Sequence, residues 1–196
     1  MSYRSRYRIS GNEMRIFVFV TFLLVTSLLP LISFDGYKIV RHTTSHLGSQ
    51  GAPFAWVMNI TFVLLGFTAI LVTWRTKIWY HRVWGGVFGI SLCFTGLFRH
   101  APLVDGITTI VWQDTWHSIF ATTTGIGFTL LAAGHTMMSR RGAQRWVALI
   151  MTTVAIVIPI AMFGIPEIMG LLQRVMFISA FWWLFFYMKP PSELSV

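Results

Sequence analysis

Six long apolar stretches constrain this chain more than any other feature of its sequence. A helix needs about 20 apolar residues to cross the hydrocarbon core of a bilayer, and each stretch has roughly that length. They cover residues 14–34, 53–74, 82–98, 114–138, 146–164 and 168–188. Only 11% of the 196 residues are charged, whereas soluble domains carry about 25%. The sequence therefore predicts an all-α integral membrane protein, a compact bundle of six transmembrane helices.

The basic residues indicate how this bundle is oriented in the membrane. Lys and Arg concentrate in the short cytoplasmic segments of multispanning proteins. If the N-terminus is cytoplasmic, eleven of the fifteen basic residues lie on that side: Arg4, Arg6, Arg8, Arg15, Arg75, Lys77, Arg82, Arg140, Arg141, Arg145 and Lys189. We therefore expect both termini in the cytoplasm, with residues 1–13 and 189–196 as tails and 14–188 as the transmembrane domain.

The net charge of +9 is then explained by topology. A nucleic-acid-binding protein needs a basic face on a soluble module, and this sequence has no such module. The single cysteine, Cys93, lies within an apolar stretch, which excludes disulfide frameworks and Cys-rich metal sites. Membrane lipids are therefore the predicted partners, and nucleic acid is not.

Ionisable residues other than Lys and Arg collect at the outer side of the predicted bundle. Such side chains are unfavourable in a membrane, so their positions are the main functional signal. Orientation alone does not explain four histidines and four carboxylates on one side. The outer set, with one serine, comprises Asp35, His42, Ser45, His46, His100, Asp105, Asp114, His117 and Glu167. We predict a polar site that opens to the extracytoplasmic face.

Three of these histidines suggest a metal site. His100 and His117 lie at similar depth on consecutive helices, and His46 comes from the first outer loop. With Asp105 or Asp114 they offer the three ligands that catalytic zinc typically uses, although no local His-Glu-x-x-His motif is present. The alternatives are a hydrogen-bonded structural role for His117 and a helix cap for Asp114.

Ser45 is the candidate nucleophile. Adjacent side chains rarely face each other productively, so its base would be His100 or His117 rather than His46. The catalytic candidates are Ser45, Asp105, Asp114 and His117.

Arg174 is the most informative single residue, because it lies about two turns into the last predicted helix. A guanidinium at this depth needs an anion. That anion is either a carboxylate of Asp105, Asp114 or Glu167, or the phosphate or carboxylate of a lipid. The candidates for substrate binding are Arg174, Asn59 and Glu167, with hydrogen bonding between helices as the alternative role of Asn59.

Two further features concern packing. The outer connection from Asp35 to Ala52 mixes glycines, hydroxyls and histidines, which suits an ordered or re-entrant segment, with a solvated loop as the alternative. Small residues on the third and fourth predicted helices indicate a close approach of these two helices or oligomerisation through the same faces. These residues are Gly85, Gly86, Gly89, Gly96, Ala121 and Gly125.

Two motifs carry a family resemblance. The segment SHLGSQGAPFAWVMNITFVLLG has Ser-x-Leu-Gly in a loop, then Pro, then a helix with Asn and Gly. The second motif is GLFRHAPLVDG followed by WHSIFA. Over nearly the whole chain, the sequence resembles the prokaryotic multipass membrane family catalogued as domain of unknown function 998.

This resemblance implies the cytoplasmic membrane of a bacterium or archaeon as the location. It points to Ser45, Leu47, Gly48, Pro53, Asn59, Asp105 and His117. The family commonly has an acidic residue where this chain has His46, and a Phe-Pro pair near Phe98, Arg99 and His100. Because the family's activity is unknown, the resemblance supports topology rather than chemistry.

Three functions are compatible with these residues. The leading one is a metal-assisted hydrolase acting on lipid at the outer leaflet, similar in outline to multipass hydrolases such as alkaline ceramidases. The second is a non-enzymatic structural or lipid-binding subunit whose polar cluster closes the bundle. The third is a b-type electron carrier with two haems, because His81 and His100 bracket one predicted helix and His117 and His135 the next.

Overall fold

A computed structural model describes residues 11–140 and 142–190 of the chain. All regular structure in this part is helical. The helices are α1 (Gly11–Leu28), α2 (Thr44–Leu47), α3 (Ala55–Arg75), α4 (Trp79–Leu97), α5 (Val111–Met138), α6 (Ala143–Gly164) and α7 (Met169–Trp182). A 3-10 turn, Leu29–Ile32, extends α1, another, Pro166–Ile168, precedes α7, and a π turn, Trp183–Tyr187, follows α7.

Parts of the predicted tails lie outside the described residues. These are residues 1–10 of the N-terminal tail and 191–196 of the C-terminal tail, together with Arg141. The orientation signals Arg4, Arg6 and Arg8 therefore belong to the sequence prediction alone.

Four helical segments are long and apolar enough to cross a membrane. They are Gly11–Ile32, Ala55–Arg75, Ala143–Gly164 and Pro166–Tyr187, with mean hydropathies from 1.5 to 2.4. Helices α4 and α5 cover the other two predicted stretches but are less apolar, because Gly, Thr, Ser and His replace aliphatic residues along them. The chain is thus an all-helical membrane protein with four segments of clear spanning character.

The long helices form a closed ring in which each packs against its neighbours. Helix α3 contacts α1 and α4, α5 lies between α4 and α6, and α7 contacts both α6 and α1. The interior is filled by large side chains that are almost fully buried, among them Phe22, Phe62, Phe181, Trp183 and Phe185. The aromatic rings of Phe22, Phe181 and Phe185 contact one another in sequence across this core.

Glycines bring the backbones of α3 and α4 together. A Cβ atom on Gly66 would collide with the carbonyl oxygen of Gly89, and one on Gly89 would collide with that of Gly66. Gly96 lies in the same way against the carbonyl oxygen of Asn59. Close helix packing through small residues is common in membranes, where backbones gain van der Waals contact.

The partner of the α4 glycines differs from the sequence prediction. Gly89 and Gly96 face the preceding helix α3, whereas α5 approaches α4 through its own Gly127, against the backbone of Phe88. The predicted small-residue step on α5 is open, because a Cβ on Gly125 would meet nothing within 4 Å. Most of the glycine face of α4 is therefore occupied within the chain, and oligomerisation stays a prediction for the open positions.

Gly89→Ala should destabilise the protein by about 1–3 kcal/mol, because the added methyl group overpacks the α3–α4 contact. Gly86→Ala is the matched control on the same helix, since nothing lies within 4 Å of its Cβ position. That control should be neutral or slightly stabilising, by up to about 1 kcal/mol. Unfolding in mixed detergent measures both, and equal stabilities of the two variants would contradict this packing.

Candidate functional site

The segment before α3 folds into one end of the bundle. All residues from Thr43 to Gln50 are buried, with α2 in their middle; we call residues 43–50 the buried segment. Gln173 Oε1 accepts hydrogen bonds from the backbone N–H and the hydroxyl of Thr44, both at 2.8 Å. The structure thus has the ordered form of this connection.

Asn59 and Gly48 explain part of the family motif. Asn59 Nδ2 donates to the Gly48 carbonyl oxygen at 3.2 Å, and a Cβ on Gly48 would collide with Asn59 Oδ1. Glycine is needed here so that the side chain of α3 can reach the backbone of the buried segment. Asn59 therefore binds this segment rather than a neighbouring long helix.

Gln50 ties the buried segment to the loop between α4 and α5. Its Nε2 donates to the carbonyl oxygens of Arg99 (3.3 Å) and Ile110 (3.1 Å), and its Oε1 accepts from Ile110 N–H at 2.7 Å. Its own backbone N–H donates to the His100 carbonyl at 3.0 Å. The sequence did not point to Gln50, because every partner of its side chain is a backbone atom.

Arg174 is buried, at 7% exposure. Its Nη1 donates to the carbonyl oxygens of Ile39 (2.8 Å), His42 (2.8 Å) and Gly170 (3.0 Å), and its Nη2 donates to the Tyr37 hydroxyl at 2.7 Å. No carboxylate pairs with Arg174 within the described residues. The expected ion pair with an acid is therefore replaced by backbone carbonyls, two from the loop before α2 and one from α7 itself.

Tyr37 completes this arrangement and was not predicted. Its hydroxyl donates to the carbonyl oxygens of His42 (3.1 Å) and Thr43 (2.9 Å). Burial raises the pKa of Tyr37, and the Arg174 charge opposes that rise. The loop is thus held by one phenol and one guanidinium, which both bind the carbonyl oxygen of His42.

Four imidazole rings lie in succession across this end of the bundle, and we call them the imidazole row. Ring centroids are 5.7 Å apart for His42 and His46, 5.1 Å for His46 and His100, and 5.4 Å for His100 and His117. The row brings together His100 and His117, which were predicted to meet from their depth, and His46, which was expected from the preceding loop. It runs from His42 in that loop to His117, which is only 3% exposed.

His46 is held as a neutral hydrogen-bond acceptor at Nδ1. Thr43 N–H donates to this nitrogen at 3.2 Å, as in a capping box in which histidine replaces the usual Glu or Gln. Burial and the neighbouring His100 lower the pKa of His46 to about 3. The proton of its neutral ring is therefore on Nε2.

His117 has the opposite tautomer. Its Nδ1 lies 3.0 Å from the carbonyl oxygen of Thr95 and 2.9 Å from that of Phe98. Because carbonyls only accept, Nδ1 carries the proton and Nε2 keeps its lone pair in the neutral ring. The carbonyl oxygens at the C-terminal end of α4 thus orient the imidazole of His117 on α5.

Asp114 lies beside His100, a ring of the row that is partly exposed. Its Oδ1 accepts from Ala101 N–H at 2.7 Å and is 3.9 Å from His100 Nδ1. The His100 side chain is 31% exposed, and its Nδ1 is 3.1 Å from the carbonyl oxygen of Ala101. Asp114 therefore connects α5 to the preceding loop and supplies negative charge next to His100.

The three predicted zinc ligands, His46, His100 and His117, contact one another ring to ring. Within residues 11–140 and 142–190, no three His, Cys, Asp or Glu side chains are placed to hold a metal ion. One nitrogen of His46 and one of His117 already make hydrogen bonds, and the rings meet edge to face, at 72° and 83°. A zinc site stays a prediction from the sequence, and the reaction proposed for this protein does not use a metal.

Three other predicted residues lie apart from the row. Ser45 is buried, but in the described part of the chain its hydroxyl makes no hydrogen bond to an imidazole. Asp105 is exposed in a turn that Gly106 closes with φ of +80°, and Glu167 is exposed in the turn before α7. The structure therefore does not assemble a Ser-His-Asp arrangement from these side chains.

The predicted haem ligands contact each other directly. At the opposite end of the bundle, His81 Nε2 and His135 Nδ1 are 3.2 Å apart, and both rings are fully buried. The rings of His100 and His117 are likewise in contact. No macrocycle fits between rings at these distances, so the two-haem arrangement does not match the structure.

These features define a class: an all-helical membrane protein with an imidazole row at one end of its bundle. The chain belongs to the family described as "Protein of unknown function (DUF998)", whose model matches residues 16–188. No curated protein matches the chain, and no solved structure does.

His46→Gln should reduce the acid sensitivity of the protein. The folded protein keeps His46 neutral down to about pH 3, whereas the unfolded chain binds this proton near pH 6.5. Stability should therefore fall by about 1.4 kcal/mol per unit as the pH drops below about 6.5. Glutamine retains an acceptor for Thr43 N–H, so thermal unfolding should match wild type at pH 7.5 and exceed it at pH 4.5; parallel pH curves would contradict this.

Arg174→Met should free the outer loop, because it removes the donors from three carbonyls and one hydroxyl. We expect a loss of at least about 3 kcal/mol, with Arg174→Lys intermediate because it keeps the charge and part of the hydrogen bonding. Trypsin cleavage after Lys38 or Arg41 reports on the loop, since both side chains are near Ile39 and His42 in sequence. If Arg174→Met resists trypsin as well as the wild type does, the hydrogen bonds of Arg174 are not needed to hold the loop.

Proposed function

We propose that this protein is a six-span membrane protein whose imidazole row hydrolyses an ester or amide bond of a lipid. In this proposal α4 and α5 span the membrane within the ring, between the clearly apolar α3 and α6. The long helices alternate in direction, so both termini lie on one side. The clustering of Arg15, Arg75, Arg82 and Arg145 at that side supports a cytoplasmic location for the termini in a bacterial or archaeal membrane.

The observation that carries the proposed chemistry is the pair of opposite tautomers in the row. His46 presents a Nε2–H donor, and His117 presents a Nε2 lone pair, each determined by a backbone partner. His100 lies between them in ring contact, and its side chain is 31% exposed to solvent. A site with a fixed donor, a fixed acceptor and an accessible imidazole suits general acid–base catalysis.

His100 is the proposed general base. With its Nδ1–H directed to the Ala101 carbonyl, its Nε2 takes a proton from water as that water attacks the carbonyl carbon of the lipid. The Asp114 carboxylate, 3.9 Å away, stabilises the resulting imidazolium. The bond to the leaving oxygen or nitrogen then breaks, and His100 returns the proton to it, while His46 Nε2–H supplies a hydrogen bond to the developing oxyanion.

Arg174 and Asn59 act as positioning residues in this proposal. The Nη atoms of Arg174 already bind carbonyls and Tyr37, so a substrate anion is not assigned to them. Both side chains support the row by holding the buried segment against the bundle. Ser45 and Glu167 receive no role in the reaction.

A non-enzymatic structural or lipid-binding subunit is the second candidate. It is favoured by the many hydrogen bonds that hold the buried segment and the adjoining loop against the bundle. These bonds come from Gln50, Asn59, Gln173 and Arg174. A polar network that satisfies its own members can seal the end of a helix bundle without any reaction. The two candidates differ in whether His100 is needed for turnover or only for packing.

His100→Gln should lower lipid hydrolysis at least about 100-fold, because it removes the general base. The assay uses purified protein in nanodiscs made from total lipid of the membranes in which it is expressed, with mass spectrometry of released products. Arg99→Gln is the control, because the exposed neighbouring side chain has no assigned role. Equal release by wild type and His100→Gln, including none by either, would favour the non-enzymatic subunit.

A further inference from the structure

A groove runs along the outside of the bundle between α1 and α7. It has a volume of about 480 Å³ and is lined by Phe19, Leu23, Val175, Ile178, Ser179 and Trp182. Ser179 is its one polar lining residue, and the hydroxyl of Ser179 donates to the carbonyl oxygens of Val175 (2.8 Å) and Met176 (3.0 Å) within its own helix. The groove surface is therefore apolar in effect.

Arg15 lies where this groove approaches the end of the bundle opposite the imidazole row. It precedes Phe19 by four residues and Leu23 by eight on α1, so the three side chains share one helix face. Arg15 Nη1 donates to the carbonyl oxygen of Phe185 at 3.0 Å. Its Nε is buried and has no hydrogen-bond partner among the described residues.

Arg75 adds a second positive charge at this end. Its guanidinium occupies the space that a Cβ atom on Gly11, the first residue of α1, would need, and it is near enough to Arg15 for the two charges to repel each other. Lys77 follows in the next turn of chain, and Glu13 is the acid of the first turn of α1. Two cations, Arg15 and Arg75, and one carboxylate, Glu13, leave a net positive charge at this end of α1.

We propose that the groove and these arginines bind one anionic phospholipid, with an acyl chain between α1 and α7 and the phosphate at Arg15 and Arg75. A phospholipid brings apolar length and negative charge together, and both are complementary to this surface. A helix of a second copy is about 10–12 Å across with its side chains, much wider than the acyl chain for which a groove of this volume has room. The site lies at the other end from the imidazole row, so it does not depend on the proposed hydrolysis.

The test measures lipid retention by native mass spectrometry of the full chain released from detergent. One phosphatidylglycerol should be retained per chain, and phosphatidylcholine with the same acyl chains should bind at least tenfold more weakly. Arg15→Gln removes charge and Ser179→Leu fills the groove, so each should weaken phosphatidylglycerol binding at least tenfold. The matched controls Arg99→Gln and Thr153→Leu, both on exposed surface elsewhere, should bind as wild type does.

Several outcomes would overturn the proposal. Equal retention of the two lipids would show that the arginines do not select the anionic headgroup. Displacement of phosphatidylglycerol by inorganic phosphate alone would show that the groove does not contribute to binding. A dimer that Ser179→Leu dissociates would assign the groove to a second copy. Phosphatidylglycerol with a photoactivatable acyl chain tests the unchanged protein: labels should fall on Leu23, Val175 and Ile178, and labels confined to α6 would exclude this site.

Discussion

The end of the bundle that holds the imidazole row depends on how the hydrogen-bond donors of Arg174 are satisfied. A buried guanidinium without a carboxylate is tolerated only if other groups solvate it. Here the carbonyl oxygens of Ile39, His42 and Gly170 and the hydroxyl of Tyr37 do so. The loop cannot lift from α7 without leaving a buried cation unpaired. The position of the buried segment, and with it the spacing of the imidazole row, follows from this local solvation.

Helix existence was predictable from the sequence, because each apolar stretch is long and interrupted by polar turns. Boundaries were less predictable at α4, which begins at Trp79 rather than at residue 82. Tyr80 and His81 look like a polar edge in the sequence. In the structure Tyr80 donates to the Leu130 carbonyl and His81 contacts His135. Because the partners of these polar residues lie on a later helix, the local sequence does not show that Tyr80 and His81 belong to α4.

The candidate site was predictable in part for a related reason. Depth along consecutive helices was enough to bring His100 and His117 together, and the outer loop could supply His46. The partner of Arg174 was not predictable, because backbone carbonyls occur at every residue and have no signature in a sequence. Gln50 was missed for the same reason, since its side chain binds the backbone atoms of Arg99 and Ile110.

The uneven apolarity of the helices bears on how the chain enters a membrane. In the proposed six-span arrangement, α4 or α5 inserted alone would expose imidazoles and hydroxyls to hydrocarbon, which is unfavourable. If the two helices insert together, His81 of α4 and His135 of α5 contact each other and are shielded from lipid. Helix α4 also gains the close backbone contact with Gly66 of α3. Since α3 is synthesised before α4 and α5, the surface of α3 against which α4 packs is already present when the less apolar pair emerges. Biogenesis of this bundle would then be ordered by polarity as well as by sequence.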